Sequence, residues 1–234
     1  MMKKLKGIIF DKDGTLFDIQ RSWSEWAKVF ITKFSNQHNL DILKLAEAIN
    51  FELPSNKFVR ESIFVHGSVD EVVDAIFQKF PQVTKKKIHE GLFEGSGDAK
   101  QVPLTNLHTL FTNLETITFG LVTNDSENNA IKHLEQHNLT QYFDMIIGYD
   151  SGYGSKPEPG QLEAFLRKTN LLSQEVLMIG DSTYDLVAAN KISMPCLGVL
   201  SGTANKKDLS AHTPFVIDSV DELEAWLKKT FLVR

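Results

Sequence analysis

Four short segments gather the side chains of this sequence that are suited to chemistry. Asp11-Lys12-Asp13-Gly14-Thr15-Leu16 holds two carboxylates two residues apart, and Thr123-Asn124-Asp125 adds a hydroxyl. Ser155-Lys156-Pro157 supplies a lysine, and Gly180-Asp181-Ser182-Thr183-Tyr184-Asp185 two more carboxylates. Crowded carboxylates repel one another, and a hard divalent cation with a few oxygen ligands and waters relieves that repulsion. Such a donor set suits Mg²⁺. A cation also screens a carboxylate nucleophile from the negative charge of a phosphate, so that an acyl phosphate can form. A second carboxyl group nearby can protonate the leaving oxygen and later activate water. A hydroxyl and an ammonium can hold the phosphoryl oxygens as charge shifts in the transition state. Phosphoryl transfer is the chemistry these groups would perform if the fold brought them to one rim.

The elements around them predict such a rim. Gly7-Ile8-Ile9-Phe10 is a continuous apolar run and reads as a buried parallel strand. Beyond residue 96, helices and strands alternate. Helices are predicted near 104–115, 127–137, 161–169 and 184–191. Strands are predicted at 117–122, 145–148, 176–179 and 196–200, with a further one at 215–217. A closing helix starts at Ser219, with Glu222 at capping-box spacing. This alternation gives a Rossmann-like α/β fold, a parallel sheet with helices on both faces. Ligands bind beyond the carboxyl ends of the strands in such sheets, where the four segments fall.

Between Phe17 and Gly95 the pattern is helical, with no convincing strand. Trp23, Trp26, Ala27, Phe30, Ile31 and Phe34 share one face of a first helix, with Ser22 and Glu25 at capping-box spacing. Ser68 and Glu71 cap a later helix that Pro81 ends. The glycines between Gly91 and Gly97 resemble a hinge. The expected organisation is a core of residues 1–16 and 96–234 with a helical insertion, 17–95. The stripe of Trp23, Trp26 and Phe30 reads as the core of that insertion.

In this order the four segments resemble the four motifs of the haloacid dehalogenase-like hydrolase superfamily. Asp11 to Leu16 is similar to the first, Thr123-Asn124 to the second, Lys156-Pro157 to the third and Gly180-Asp181 to Asp185 to the fourth. The resemblance implies Asp11 as nucleophile and Mg²⁺ ligand. It implies Asp13 as general acid and base, with its carbonyl on the metal. Thr123 and the amide of Asn124 would bind phosphate, and Lys156 would neutralise phosphate and Asp11. Asp181 would bind the metal, with Asp185 supporting it directly, through water or through Lys156. Gly14 and Thr15 would shape the turn. Members that remove halide lack the second acid, so Asp13 speaks for phosphate chemistry. The insertion resembles the cap of the group containing phosphoglycolate phosphatase and β-phosphoglucomutase, and the tract from Phe10 to Asp18 resembles the former branch most. One departure is Asn190-Lys191-Ile192-Ser193, where Ser193 stands in place of a common helix-ending glycine.

The implied activity is Mg²⁺-dependent hydrolysis of a small phosphorylated metabolite, such as phosphoglycolate or a sugar phosphate. The alternatives are a phosphomutase with the same site and a non-catalytic phospho-ligand binding or regulatory protein. A receiver-type signalling domain does not fit the Asp-x-Asp-Gly-Thr order or the insertion. Lys57, Arg60 and His66, polar residues between the inserted helices, are candidates for contacting the leaving group.

Composition bounds the rest. The chain has 234 residues, 25 basic and 30 acidic, a net charge of −5 that gives no pull toward nucleic acid or an anionic membrane. Cys196 alone forms no disulfide within the chain and reads as a buried strand residue. The apolar patch after Met1 is too short for a signal peptide, and a cytoplasmic location is expected. Asp18 and Asp150 either join the site or cap turns. His133 and His137 stand four apart, a spacing able to bind a transition metal, but with no third ligand nearby they read as a solvated helix face. Lys85-Lys86-Lys87 reads as a solvated surface run.

Overall fold

The computed structural model describes residues 4–59, 62–202 and 204–230. Chain order runs β1 (Gly7–Phe10), then the inserted α1 (Ile19–His38), α2 (Ile42–Ala48), β2 (Phe51–Glu52), β3 (Lys57–Phe58), α3 (Ile63–His66), α4 (Val69–Lys79) and α5 (Lys85–Phe93). Alternation follows with α6 (Leu107–Asn113), β4 (Thr118–Val122), α7 (Glu127–Glu135), β5 (Met145–Ile147), α8 (Gly160–Thr169) and β6 (Val176–Gly180). The chain closes with α9 (Thr183–Lys191), β7 (Cys196–Val199), α10 (Lys206–Ser210), β8 (Val216–Ile217) and α11 (Leu223–Thr230).

Six strands form one parallel sheet in the order β5-β4-β1-β6-β7-β8. β1 is flanked by β4 and β6, the two strands whose ends carry the second and fourth segments. Register aligns them: Phe10 lies opposite Leu121 on one side and Ile179 on the other. Asp11, Thr123 and Asp181 therefore leave the sheet at nearly the same level. Strand alternation sends Ile8 and Phe10 to one core, with Leu110, Phe111, Leu134 and Leu223. Ile9 goes to the other, with Leu162, Phe165, Leu186 and Cys196. The α/β expectation holds in each alternating element.

A third core lies within the inserted helices, where Phe30, Ile31, Leu45, Ile49, Ile76 and Ile88 pack together. Ser68 makes the expected capping box with Glu71 at the start of α4. The start of α1 differs. Asp18 is its N-cap, accepting from Arg21 N at 3.0 Å, so Ser22 lies within the helix. Ser22 Oγ instead accepts from Val102 N and ties α1 to the segment leading back to the sheet. Two short antiparallel strands, β2 and β3, occur where only helices were expected, with Phe51 opposite Phe58 and Glu52 opposite Lys57. Two-residue strands are too short to show a period. Gly91 lies inside α5, where an added Cβ would stand 2.6 Å from the Phe34 ring. That position serves close packing, while Gly95, at φ +71°, ends the run.

At the other helix end in question, Ser193 adopts φ +54°, the left-handed conformation that usually favours glycine. The closing segment begins with a 3₁₀ turn, Val220–Glu222, and Glu222 accepts from Asp218 N rather than completing a box with Ser219. No helix among the described residues is long and apolar enough to cross a membrane.

Candidate active site

The turn after β1 carries Asp11, the loop after β4 carries Thr123 and Asn124, the turn before α8 carries Lys156, and the β6–α9 junction carries Asp181 and Asp185. All line one cleft or contact a residue that does. Lys156 is its hub. The buried ammonium donates to Asp11 Oδ1 at 2.6 Å, Asp185 Oδ1 at 2.7 Å and Val122 O at 3.1 Å, using the three donors an ammonium has. Asp185, at the third position of α9, also accepts from Ser182 N at 3.1 Å and Ser182 Oγ at 2.6 Å. Thr123 is buried, with Oγ1 accepting from Asp125 N and its carbonyl from Gln161 Nε2.

Electrostatics follow from this crowding. Burial pushes the Asp11 carboxyl up to about 7 against the pull of Lys156, and the charges of Asp185 and Asp13 add to the rise. Burial and the neighbouring Asp11 and Asp185 raise Asp181 well above the usual carboxylate range. Burial alone would discharge Lys156, but Asp11 and Asp185 outweigh it and keep the ammonium charged.

Carboxylate oxygens of Asp11, Asp181 and Asp185 lie within 4.8 Å of one another. With all three carboxylates ionised, the Lys156 ammonium leaves a surplus of two negative charges. Asp181 Oδ2 is buried without a hydrogen-bond partner. Gly14, at φ +85°, and Gly202 pack against that carboxyl: a Cβ on Gly14 would stand 2.6 Å from Oδ2, and one on Gly202 would overlap it. A divalent cation with a preference for oxygen fits this charge, this donor set and the unsatisfied oxygen.

A family model described as haloacid dehalogenase-like hydrolase matches residues 8–199. The chain belongs to this family. Phosphoglycolate phosphatase of Vibrio parahaemolyticus is 36% identical over 107 residues, covering 45% of this chain and 47% of that relative. Over that match the chain spans about half the length of the relative. Phosphoglycolate phosphatase of Vibrio cholerae is 27% identical over 95% of this chain and 96% of its own. Among solved structures, the L-2-haloacid dehalogenase of Xanthobacter autotrophicus superposes with a TM-score of 0.62 at 16% identity, covering 97% of this chain and 99% of that one. One fold thus serves relatives named for different reactions, and the site must distinguish them.

Asp13, the second carboxylate of the first segment, is engaged on both oxygens. Trp23 Nε1 donates to Oδ1 and Lys12 Nζ meets Oδ2, each at 2.6 Å. Burial opposes ionisation of Asp13, but Lys12 and the Trp23 N–H outweigh it and hold the carboxyl below its usual range. Trp23 was expected only in the helical core. It does pack there, yet its ring N–H reaches the site because α1 runs over the cleft. His133 was expected on a solvated face. It is fully buried instead, since α7 turns that residue toward Ser96 and Lys12. Lys12 and Asp125 were given no role by sequence. The signal for Lys12 was a charge set between an apolar strand and a tight turn, with both flanking aspartates directed to the cleft.

The other expectations are placed as follows. His137 is half-buried and pairs with Gln101 O at 3.0 Å. Asp18 and Asp150 cap helices, Asp150 accepting from Glu127 N at 2.8 Å. Lys85, Lys86 and Lys87 are exposed, and Cys196 is a buried free thiol. Lys57 is exposed on β3 and absent from the cleft lining. Arg60 lies outside the described residues, and His66 ends α3. Away from the carboxylates the cleft is walled by Trp26, Phe64, Val69, Val72, Leu92 and Phe93 from the inserted helices.

Proposed function

We propose that this hydrolase is a Mg²⁺-dependent phosphatase that hydrolyses a small organic phosphate monoester through an aspartyl-phosphate on Asp11. The observation that carries the reading is the Lys156 ammonium shared between Asp11 and Asp185, with the unpartnered Asp181 oxygen beside them. Asp11, Asp181 and Asp185, with the Asp13 carbonyl, would hold the cation, which when bound supplies positive charge that offsets carboxylate and phosphate.

Lys156 pairs with the Asp11 carboxylate and favours its ionised form for attack on phosphorus, an effect to which a bound cation would add. Thr123 Oγ1 and the Asn124 N–H hold phosphoryl oxygens, and Lys156 balances their charge. Asp13 protonates the departing alkoxide and then, as a carboxylate, takes the proton of the water that attacks the phosphorus. Asp13 is ionised at rest, so the proton for the first step arrives with the substrate, whose second phosphate pKa is near ~6. Residues 17–95 act as a cap domain over a core of 1–16 and 96–234, closing the cleft and contacting the leaving group.

The names of the Vibrio relatives make phosphoglycolate the first substrate to test, with sugar phosphates beside it. Phosphate release would be followed with Mg²⁺, with chelator and with Asp11→Asn. Turnover that needs both the metal and Asp11 supports the reading. Release that survives Asp11→Asn overturns it, and transfer of phosphate to a sugar instead of water would select a phosphomutase.

A further inference from the structure

Lys12 stands between the two aspartates of the first segment, and its side chain is fully buried. An apolar side chain could fill such a place without desolvating a charge, so a lysine there must be held by its partners. Its ammonium meets three groups: it forms ion pairs with Asp13 Oδ2 at 2.6 Å and Asp125 Oδ2 at 3.2 Å, and a hydrogen bond to His133 Nδ1 at 3.0 Å. An ammonium only donates, so His133 Nδ1 accepts and the ring proton sits on Nε2, which donates to Ser96 O at 3.0 Å. Asp125 is fixed in turn through Oδ1, which accepts from Ser126 N at 2.7 Å and Asn129 Nδ2 at 3.0 Å.

Trp23 completes the arrangement from the inserted helices. Its ring lies 5.2 Å from Lys12 Nζ, and its N–H donates to Asp13 Oδ1 at 2.6 Å. Each oxygen of Asp13 therefore has its own partner, the Lys12 ammonium in an ion pair from the sheet side and the Trp23 N–H in a hydrogen bond from α1. Two partners on opposite oxygens fix the rotation of a carboxyl group that a single partner would leave free. The second lone pair of each oxygen stays available to a ligand.

We propose that Lys12 and Trp23 are positioning residues that clamp the Asp13 carboxyl toward the leaving-group oxygen, with His133 and Asp125 holding Lys12 in place. The inference rests on Asp13 being the acid–base group of the proposed phosphatase. In the first half-reaction the bond from an Asp11 oxygen to phosphorus forms and the bond from phosphorus to the leaving oxygen breaks. The Asp13 proton passes to that oxygen, and Asp13 is left as a carboxylate between Lys12 and Trp23.

The clamp predicts dependence on the leaving group. An alkoxide needs a proton to depart, whereas para-nitrophenolate does not. We would measure kcat/KM for a primary alkyl phosphate and for para-nitrophenyl phosphate in wild type, Lys12→Met, Trp23→Phe and, as reference, Asp13→Asn. The expected result for Lys12→Met and Trp23→Phe is a loss of about 100-fold with the alkyl ester and under about fivefold with the aryl ester. Equal losses with both esters, or no loss with either, would overturn the clamp. If Lys12→Met does not fold, Trp23→Phe decides, because it keeps an aromatic ring in the same place. If Asp13→Asn itself treats the two esters alike, the acid–base reading fails, and the clamp with it. An Asp13→Asn effect without a Trp23→Phe or Lys12→Met effect rejects the clamp alone.

Discussion

The side-chain amide of Asn124 grips the backbone of Lys156 at both ends. Lys156 N donates to Asn124 Oδ1 at 2.9 Å, and Asn124 Nδ2 donates to Lys156 O at 3.0 Å. Through this pair the loop after β4 sets the height from which the Lys156 side chain descends to Asp11. Asn124→Ala removes both bonds while leaving the backbone N–H of residue 124 in place. The expected result is a fall in kcat/KM of about 10- to 100-fold, since small misplacements of a catalytic group are expensive. Steady-state kinetics with a folded variant checks it, and an unchanged kcat/KM would contradict it.

Metal binding should stabilise the fold, and more so at higher pH. With Asp11 pushed up to about 7 by burial and then by Asp185 and Asp13, the folded chain retains a proton that the unfolded chain releases above 3.8. The contribution of Asp11 to metal-free stability is therefore present at low pH and lost as pH rises toward 7. A cation binds the ionised carboxylates, so its effect grows across the same window. At a hundredfold excess over its Kd, Mg²⁺ adds about 2.7 kcal/mol. Thermal melts with Mg²⁺ and with chelator should differ more near about pH 8 than near about pH 5. Asp181→Asn should abolish most of the difference.

The sequence carried the sheet and the rim because both depend on local signals. Apolar runs mark β1, β4, β6 and β7, and the first three lead into the polar groups that project from the rim. The Lys156–Asp11 contact needs more than strand order: Lys156 lies beyond β5, and the pairing of its backbone with Asn124 after β4 brings it to Asp11. What stayed hidden rests on contacts between distant segments. The approach of Trp23 to Asp13 depends on how α1 crosses the cleft. The burial of His133 depends on how Ser96 returns beside α7. Neither angle has a sequence period. The capping of α1 by Asp18 instead of Ser22 arose because both spacings are chemically reasonable, and the helix starts at the earlier one.

His133 gives a second pH signature. Burial, and after it the charge of Lys12, lowers its pKa to about 4 from 6.5. Between those values the unfolded chain binds a proton that the folded chain refuses, so stability is full above about 6.5 and falls as pH drops toward 4. The slope reaches up to about 1.4 kcal/mol per pH unit. His133→Gln, which keeps an acceptor for Lys12, should flatten this part of the profile. Urea unfolding of both proteins across the window tests it, and parallel profiles would contradict it.

Gly91→Ala should destabilise although alanine is the better helix former. Propensity favours alanine by about 1 kcal/mol, but a Cβ would lie 2.6 Å from two atoms of the Phe34 ring. Overpacking of this kind outweighs propensity, with a net loss of about 1–2 kcal/mol. Phe34→Leu in the same chain should recover part of it. A more stable Gly91→Ala would show that the ring yields easily.

The central claim is that Asp11 becomes phosphorylated. It is tested most directly by acid-quenching turnover of a ³²P-labelled ester, taken from the phosphate-release panel, and counting label bound to protein. The account predicts protein-bound phosphate that hydroxylamine releases, located on the peptide containing Asp11 and missing from Asp11→Asn. Turnover in wild type with no bound label, together with an Asp11→Asn variant that still releases phosphate, would contradict it.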